Sequence, residues 1–416
     1  MKTFYKSNNS SMLFRLLGLL LLLFCILKVL RGANTEIETV GGIWNYISLL
    51  YYPIMLILFV RKQRYKLIGF FAFCILYLNF VFFSIAVNGN FSLSRDNIYY
   101  LLMIPYPFIV LYCFYNCGED DEIAKHLILA AYFGCLAINL ITILRFQFLS
   151  YSRPMANDVY YSLCLFPFML IYTRRKWLRG LASAAQFTAS FLADKRAGFI
   201  AFCVGFILYI LIVNGQSGRA HLVSAVKAIL ICAVVVLVFY YVTKYIDDRY
   251  NLRIYLRLFR VSRDSGSGRR QIYREIWNAY LNSSWEDKLF GHGYGAIHRR
   301  YNVGHAHNDF LEALYCYGVF AFLFITLIYV SLIVKAVKMI RIRSKNAPAF
   351  AYSIVIGLFL GFFSYFLIFY TYVTCMCAFW GRVLYMEAKA DETRRRREPV
   401  SPEPVSPELI EKKGFA

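Results

Sequence analysis

The chain has 416 residues, 59 % of them hydrophobic and 19 % aromatic, and a mean hydropathy of +0.51 excludes a water-soluble domain built around one core. A formal net charge of +22 would suit a nucleic-acid partner. The cations lie mostly in short segments between apolar runs, however, where they meet anionic headgroups and set topology, so no nucleic acid is expected.

Apolar runs of roughly 17 to 25 residues suffice to cross the hydrocarbon core of a bilayer. They recur in chain order at 12–30, 43–60, 67–87, 98–116, 127–149, 159–173, 180–193, 198–213, 222–243, 310–334, 349–367 and 369–386. The fold class expected is all-α and polytopic, with about twelve transmembrane helices. Lys28 and Arg31 flank the end of the first run and no A-x-A cleavage site follows, so that helix is read as retained rather than removed as a leader. The stretches "RKQRYK" (61–66), "RRKWLR" (174–179), "KAVKMIRIRSK" (335–345) and "RRRR" (394–397) all fall on the cytoplasmic side if the spans are so counted. The acidic "CGEDDEIAKH" (117–126) joins them there as a solvated connection. The eleven cysteines, Cys74, Cys135, Cys203 and Cys232 among them, sit mainly inside the runs without a CxxC pair. They read as small buried hydrophobes, not as a disulfide or zinc framework.

This organisation divides the chain into helices one to nine (1–243), one large hydrophilic loop (244–309), helices ten to twelve (310–386) and a tail (387–416). The tail repeats PVSPE and carries few apolar residues, so it is expected to be disordered. The large loop falls outside the cytoplasm. It opens with "DDRYNLRIYLRLFRVSR", in which Arg249, Arg253, Arg257 and Arg260 face away from Leu252, Tyr255, Leu256 and Phe259. That pattern predicts a basic amphipathic helix on the membrane surface, serving as an anchor or as a contact for an anionic headgroup or diphosphate.

Four of the six histidines, His292, His298, His305 and His307, lie in the second half of this loop. No Cys or HExxH pairing completes a ligand set around them, although Asp309 and Glu312 offer oxygens, and the reading takes no metal. Asp309 and Glu312 resemble a capping box that starts the tenth helix near Phe310. His307 then precedes a helix N-terminus, where the positive end of the dipole disfavours imidazolium. A neutral imidazole at that point can accept a proton from a hydroxyl, or simply satisfy backbone groups at the interface.

Two further stretches carry cations suited to phosphate. In "FLADKRAGFI" (191–200), Lys195 and Arg196 occupy a short external turn against the positive-inside trend, so they either snorkel or address a lipid diphosphate. In "SGSGRRQIYREIW" (265–277), Arg269 and Arg270 open a helical pattern that aligns Ile272, Ile276 and Tyr280. The arginine fork suits bidentate phosphate binding, and a solvated helix start is the plainer alternative. "GHGYG" (291–295) is too short for a nucleotide loop, and neither GxxxxGK[ST] nor a strand-borne GxGxxG occurs, so no cofactor is expected.

Taken together, "DKRAGFI", "SGRRQIYREIW", "GHGYG" and "HAHNDFLEALYCYGVF" resemble the bacterial O-antigen ligase and O-antigen polymerase superfamily. The family's Arg-x3-Leu is matched by Arg196 with Ile200 in place of leucine. Its His-[Asn/Ser/Gln]-x9-Gly-x2-[Gly/Thr/Tyr] is matched by His307, Asn308 and Gly318, with Ala321 departing at the last position. The resemblance is clearest over residues 160–335 and implies a GT-C-like membrane glycosyltransferase that works without metal. It further implies a periplasmic loop and active site in the bacterial inner membrane, an undecaprenyl-diphosphate-linked glycan donor, and lipid A-core or a second lipid-linked glycan as acceptor. His307 is then the residue required for transfer, and Arg196 and Arg269 bind the diphosphate. Asn308, His305 and Arg270 are possible supporting residues, with helix capping an equal role for Asn308. Tyr273, Trp277 and Tyr294 are candidates to stack on sugar. A ligase is the first expectation and a polymerase the second. A transporter of lipid-linked glycan is the non-enzymatic alternative, and it would call for charges within spans or an internal repeat.

Overall fold

A computed structural model describes residues 2–33, 47–60, 69–88, 102–145, 158–193, 195–216, 268–301, 305–367 and 370–397, together with scattered positions between 237 and 249. These residues form helices and no strand. In chain order they are α1 (Lys2–Ala33), α2 (Tyr51–Val60), α3 (Phe70–Val87), α4 (Tyr106–Asn116), α5 (Glu122–Leu144), α6 (Val159–Tyr172) and α7 (Lys176–Leu192). There follow α8 (Arg196–Gln216), α9 (Arg269–Leu281), α10 (Trp285–Phe290), α11 (Ala296–Tyr301), α12 (Asp309–Arg341), α13 (Ala347–Phe363) and α14 (Tyr370–Arg397).

Among the described residues, five segments are long and apolar enough to cross a membrane: Met12–Arg31, Phe70–Val87, Glu122–Leu144, Arg196–Gln216 and Asp309–Arg341. Ile47–Val60, Val159–Tyr172 and Ala347–Phe363 are apolar but shorter. The short helices are interior ones. Every residue from Tyr106 to Tyr115 in α4 is buried, as is every residue from Val159 to Leu170 in α6. Residues 371–385 of α14 are buried as well. A helix apolar on all sides has no face for water or a polar neighbour, so these three pack inside the bundle, α14 against both α4 and α6. The longer helices keep one apolar side outward. On α12 this is Leu323, Leu327, Val330, Val334 and Val337, opposite the buried Ile325, Ile328 and Leu332. An apolar stripe of that length is stable against lipid tails and would be an aggregation surface in water.

Most predicted runs fall on these helices, with ends shifted by a few residues. The ninth run lies largely outside the described residues, as do "RKQRYK" and nearly all of the basic amphipathic stretch after Asp247. The C-terminal segment departs from expectation. Where the sequence suggests disorder from residue 387, α14 continues to Arg397. Charge pairing explains the extension: Arg396 pairs with Glu392 at 2.6 Å and Arg394 with Asp391 at 3.5 Å, each on one helix face. Lys389 reaches Glu119 at 2.9 Å and Lys338 reaches Asp391 at 4.0 Å, which tie the helix end to α12 and to the α4–α5 connection.

A fully buried arginine ties three parts of the bundle together. Arg382 of α14 is 0 % exposed, donates to the Gly118 carbonyl at 2.7 Å, pairs with Asp120 and lies 4.1 Å from the centre of the Phe14 ring. It serves as a pin between α14, α1 and the α4–α5 connection. The described parts of the basic segments 174–179, 335–345 and 394–397 gather at this same end of the bundle, around Asp120. The loops that carry Arg269 and His307 lie at the other.

Candidate functional site

The first turn of α12 builds the centre of the site. Its N-cap is Asn308, whose Oδ1 accepts from the backbone N–H groups of Phe310 and Leu311, both at 3.0 Å. The helix therefore starts one residue earlier than the expected Asp309–Glu312 capping box, and the two acids are released for other work. Asp309 is 0 % exposed. Its carboxylate accepts from the N–H of Phe366 at 2.9 Å and of Leu367 at 2.6 Å, holding the loop that follows α13. Glu312 reaches back to the Ala306 N–H at 2.8 Å and lies 3.7 Å from His305 Nδ1. The His305 ring in turn stacks on Tyr365, with centroids 4.1 Å apart and planes 11° from parallel.

The C-terminus of α13 supplies the other wall. The last carbonyls of a helix have no partner within it, and here three site residues take them. Arg269 donates to the Phe363 carbonyl, and Asn308 donates to that of Phe362 at 3.1 Å. The Tyr273 hydroxyl sits 3.2 Å from the Phe362 carbonyl and 2.8 Å from that of His307. Arg269 and Tyr273 both come from α9, whose buried Ile276 and Ala279 seat it on the bundle. Tyr273 is thus held through its hydroxyl. Trp277, 46 % exposed, keeps an open face, whereas Tyr294 packs on the core.

His307 lies between these two walls. Its φ of 54° is left-handed, a conformation that costs a non-glycine residue about 1–3 kcal/mol and persists only where neighbours impose it. The grip of Tyr273 on its carbonyl and the cap by Asn308 impose it here. Burial, aided by the positive charge of Arg269 and by His305 and Lys195, lowers the His307 pKa to about 4, against a smaller opposing pull from Glu312. The imidazole is therefore neutral near pH 7 and makes no hydrogen bond among the described residues. Lys195 also acts, with Lys28, on Asp158, whose carboxyl burial pushes up to about 6. From the "DKRAGFI" turn Lys195 acts on this centre, and Arg196 follows it as the first residue of α8. Arg270 points outward and is exposed. Among the described residues no three His, Cys, Asp or Glu side chains gather as a metal ligand set.

The remaining histidines separate from this centre. His298 is exposed on α11. His292 lies 2.8 Å from Ser283 Oγ and 3.7 Å from Asp287, and its ring packs against Tyr315 at a tilt of 37°. Burial lowers its pKa, with the Arg300 charge adding to that and Asp287 opposing it. Its segment, "GHGYG", docks on a break in α12. At Gly318 the backbone leaves helical geometry (φ 83°, ψ 178°). Ahead of the break, the carbonyls of Tyr315 and Cys316 accept from the N–H groups of His292 (3.0 Å) and Gly293 (2.9 Å). The contact is too close for side chains. A Cβ on Gly318 would stand 2.0 Å from the Leu289 carbonyl oxygen, and one on Gly291 would stand 2.4 Å from Cys316. The glycines of "GHGYG" and Gly318 are therefore two halves of one backbone joint rather than a phosphate cradle.

An all-helical chain with several apolar helices able to cross a membrane has the architecture of a polytopic membrane protein. Residues 181–326 match the family model described as O-antigen ligase, a stretch that spans α8–α11 and the site half of α12. Over that stretch the match supports membership of the O-antigen ligase and polymerase family, whose members are membrane glycosyltransferase-like enzymes acting on lipid-linked glycans. No curated protein matches the chain.

Proposed function

We propose that the protein transfers a glycan from undecaprenyl diphosphate to a hydroxyl of lipid A-core oligosaccharide, at the periplasmic face of the bacterial inner membrane and without a metal. The observation that carries the reading is a neutral, half-buried imidazole, His307, next to Arg269 inside the O-antigen ligase region. In this mechanism the acceptor oxygen attacks the anomeric carbon in line with the departing diphosphate, giving inversion. The carbon–oxygen bond to the diphosphate breaks with its electron pair, and the hydroxyl proton passes to His307. Arg269 and Arg196, with Lys195 beside them, stabilise the charge that grows on the leaving group. Only one Arg269 donor is held by the Phe363 carbonyl, and the guanidinium carries four more N–H groups for a diphosphate.

The low pKa of His307 fits this sequence of events. Much of the depression comes from burial and from Arg269, so a diphosphate arriving at Arg269 offsets its charge and raises the basicity of the imidazole as the donor binds. Asn308 and His305 act as supports: Asn308 through the α12 cap, His305 through its stack on Tyr365. The same donor chemistry with a second undecaprenyl-linked glycan as acceptor would make the protein a polymerase.

Reconstitution with an undecaprenyl-diphosphate glycan tests the proposal. Product on lipid A-core supports the ligase, a lengthened glycan on the carrier supports the polymerase, and movement of the glycan across the bilayer with no product refutes both. His307→Asn is the informative variant because asparagine accepts the left-handed backbone that alanine would strain. It should abolish transfer at unchanged protein level, and full activity in it would remove His307 from the mechanism.

A further inference from the structure

The opposite end of the bundle holds a cavity of about 540 Å³ bordered by α5, α6, α7, α8 and α13 and by the loops that join them. Its polar rim has four cations, Lys125, Arg174, Arg179 and Lys345, and two carboxylates, Asp120 and Glu122. The carboxylates are already committed. Lys125 lies 3.3 Å from Asp120 and 2.9 Å from Glu122, and Arg382 takes Asp120 from beneath. Arg174, Arg179 and Lys345 add net positive charge; among the described residues Arg179 lies 3.5 Å from the Tyr209 hydroxyl, and Arg174 acts electrostatically on Glu122. A polar group also borders the cavity: Thr173 is 7 % exposed, and its buried hydroxyl has no hydrogen-bond partner among the described residues.

Behind the polar rim the lining turns apolar, with Leu170, Ile171, Val213, Pro348 and Met386. Trp177, 63 % exposed at the start of α7, marks the headgroup level, where exposed tryptophan is favoured. A free inorganic anion would need no such wall, whereas a lipid carries both chemistries at this depth. From this arrangement we propose that the cavity is a binding site for the phosphate headgroup of an anionic bilayer phospholipid, held by Arg174, Arg179 and Lys345 with its upper chain against α6 and α8. The site is independent of the transfer chemistry at the other end.

The full chain in neutral detergent, titrated with phosphatidylglycerol, with phosphatidylcholine or with inorganic phosphate, tests this by thermal unfolding and native mass spectrometry. Phosphatidylglycerol should raise the midpoint more than phosphatidylcholine and stay bound as a discrete adduct. Each neutralised cation in Arg174→Gln and Lys345→Gln should weaken its apparent affinity by about fivefold. The lipid-free midpoints of these variants should match the wild type, and Lys345→Gln, at an exposed loop position, provides the test alone if Arg174→Gln folds poorly. A shift produced by inorganic phosphate that also depends on Arg174 and Lys345 would support the phosphate site and assign it to free phosphate. Equal responses to the two lipids, or an equal loss in Arg395→Gln on the exposed end of α14, would overturn the proposal.

Discussion

Replacing Gly318 by alanine separates a structural joint from a catalytic motif. The residue holds φ 83° and ψ 178°, a region that only glycine occupies at ease, and forcing a side chain into it costs about 1–3 kcal/mol. The new methyl would also stand 2.0 Å from the Leu289 carbonyl oxygen and 2.4 Å from its carbon. The backbone at Leu289 is not the end of a flexible side chain, so α10 must move away from α12. That movement breaks the bonds from His292 and Gly293 to the Tyr315 and Cys316 carbonyls, each contributing about 0.5–1.5 kcal/mol. The sum, about 2–6 kcal/mol, is a large share of the 5–15 kcal/mol typical of a folded domain. Thermal unfolding in detergent, followed by the size-exclusion profile, should therefore show a markedly lower midpoint and less monodisperse protein. Gly180→Ala is the matched control, since a Cβ there meets nothing within 4 Å. A Gly318→Ala protein with the wild-type midpoint and full transfer activity would refute the joint.

Asp309→Asn should destabilise the protein by about 1.5–3 kcal/mol, because a buried carboxylate that accepts two backbone N–H bonds becomes an amide able to accept only through its oxygen. Thermal midpoints measure this, and an unchanged midpoint would mean that the loop after α13 is held by something else. For His307 the folded pKa of about 4 lies below the ordinary histidine value near 6.5. The unfolded chain thus binds the proton first, and the stability that neutral His307 supports is complete above about pH 6.5 and lost as pH falls towards 4. The wild-type midpoint should fall more steeply than that of His307→Asn across this window; parallel curves would contradict the depressed pKa.

The helices were legible because lipid and helix geometry leave a strong mark: a run of apolar residues long enough to cross the hydrocarbon core has few other solutions. Even the short interior helices α4 and α6 show it, since they are apolar on every face. The place of His307 just ahead of a helix start was legible for a related reason, since α12 begins at Asp309. The capping residue was read one position late because Asp309 is also a good N-cap type. What assigned the cap to Asn308 is the tertiary demand on Asp309, whose partners Phe366 and Leu367 lie 57 and 58 residues away. The hydroxyl partners of Tyr273 were hidden for the same reason, one of them being a carbonyl 89 residues on. The end of α14 was missed because arginine-rich, proline-flanked sequence suggests disorder unless the facing acids of other segments are known.

These polar commitments explain why so little of the motif is left for chemistry. Where helices break near a membrane, each freed N–H or C=O must find a partner within the protein. Here the breaks are the Gly318 kink, the end of α13 and the loop beyond it. Asn308, Asp309, Glu312 and Tyr273 each answer one of these breaks or the turn just before α12, and removing any of them should act first on stability. His307 differs: its backbone is held on both sides while its imidazole is engaged by no neighbour among the described residues, and Arg269 gives a single donor to Phe363. A residue fixed by its main chain with its side chain left uncommitted is what a reacting hydroxyl requires, because the geometry is set before the substrate arrives. The division is testable within the motif itself. Variants of the four backbone-holding residues should lose activity in proportion to lost folded protein, whereas His307→Asn should lose activity with the folded protein intact.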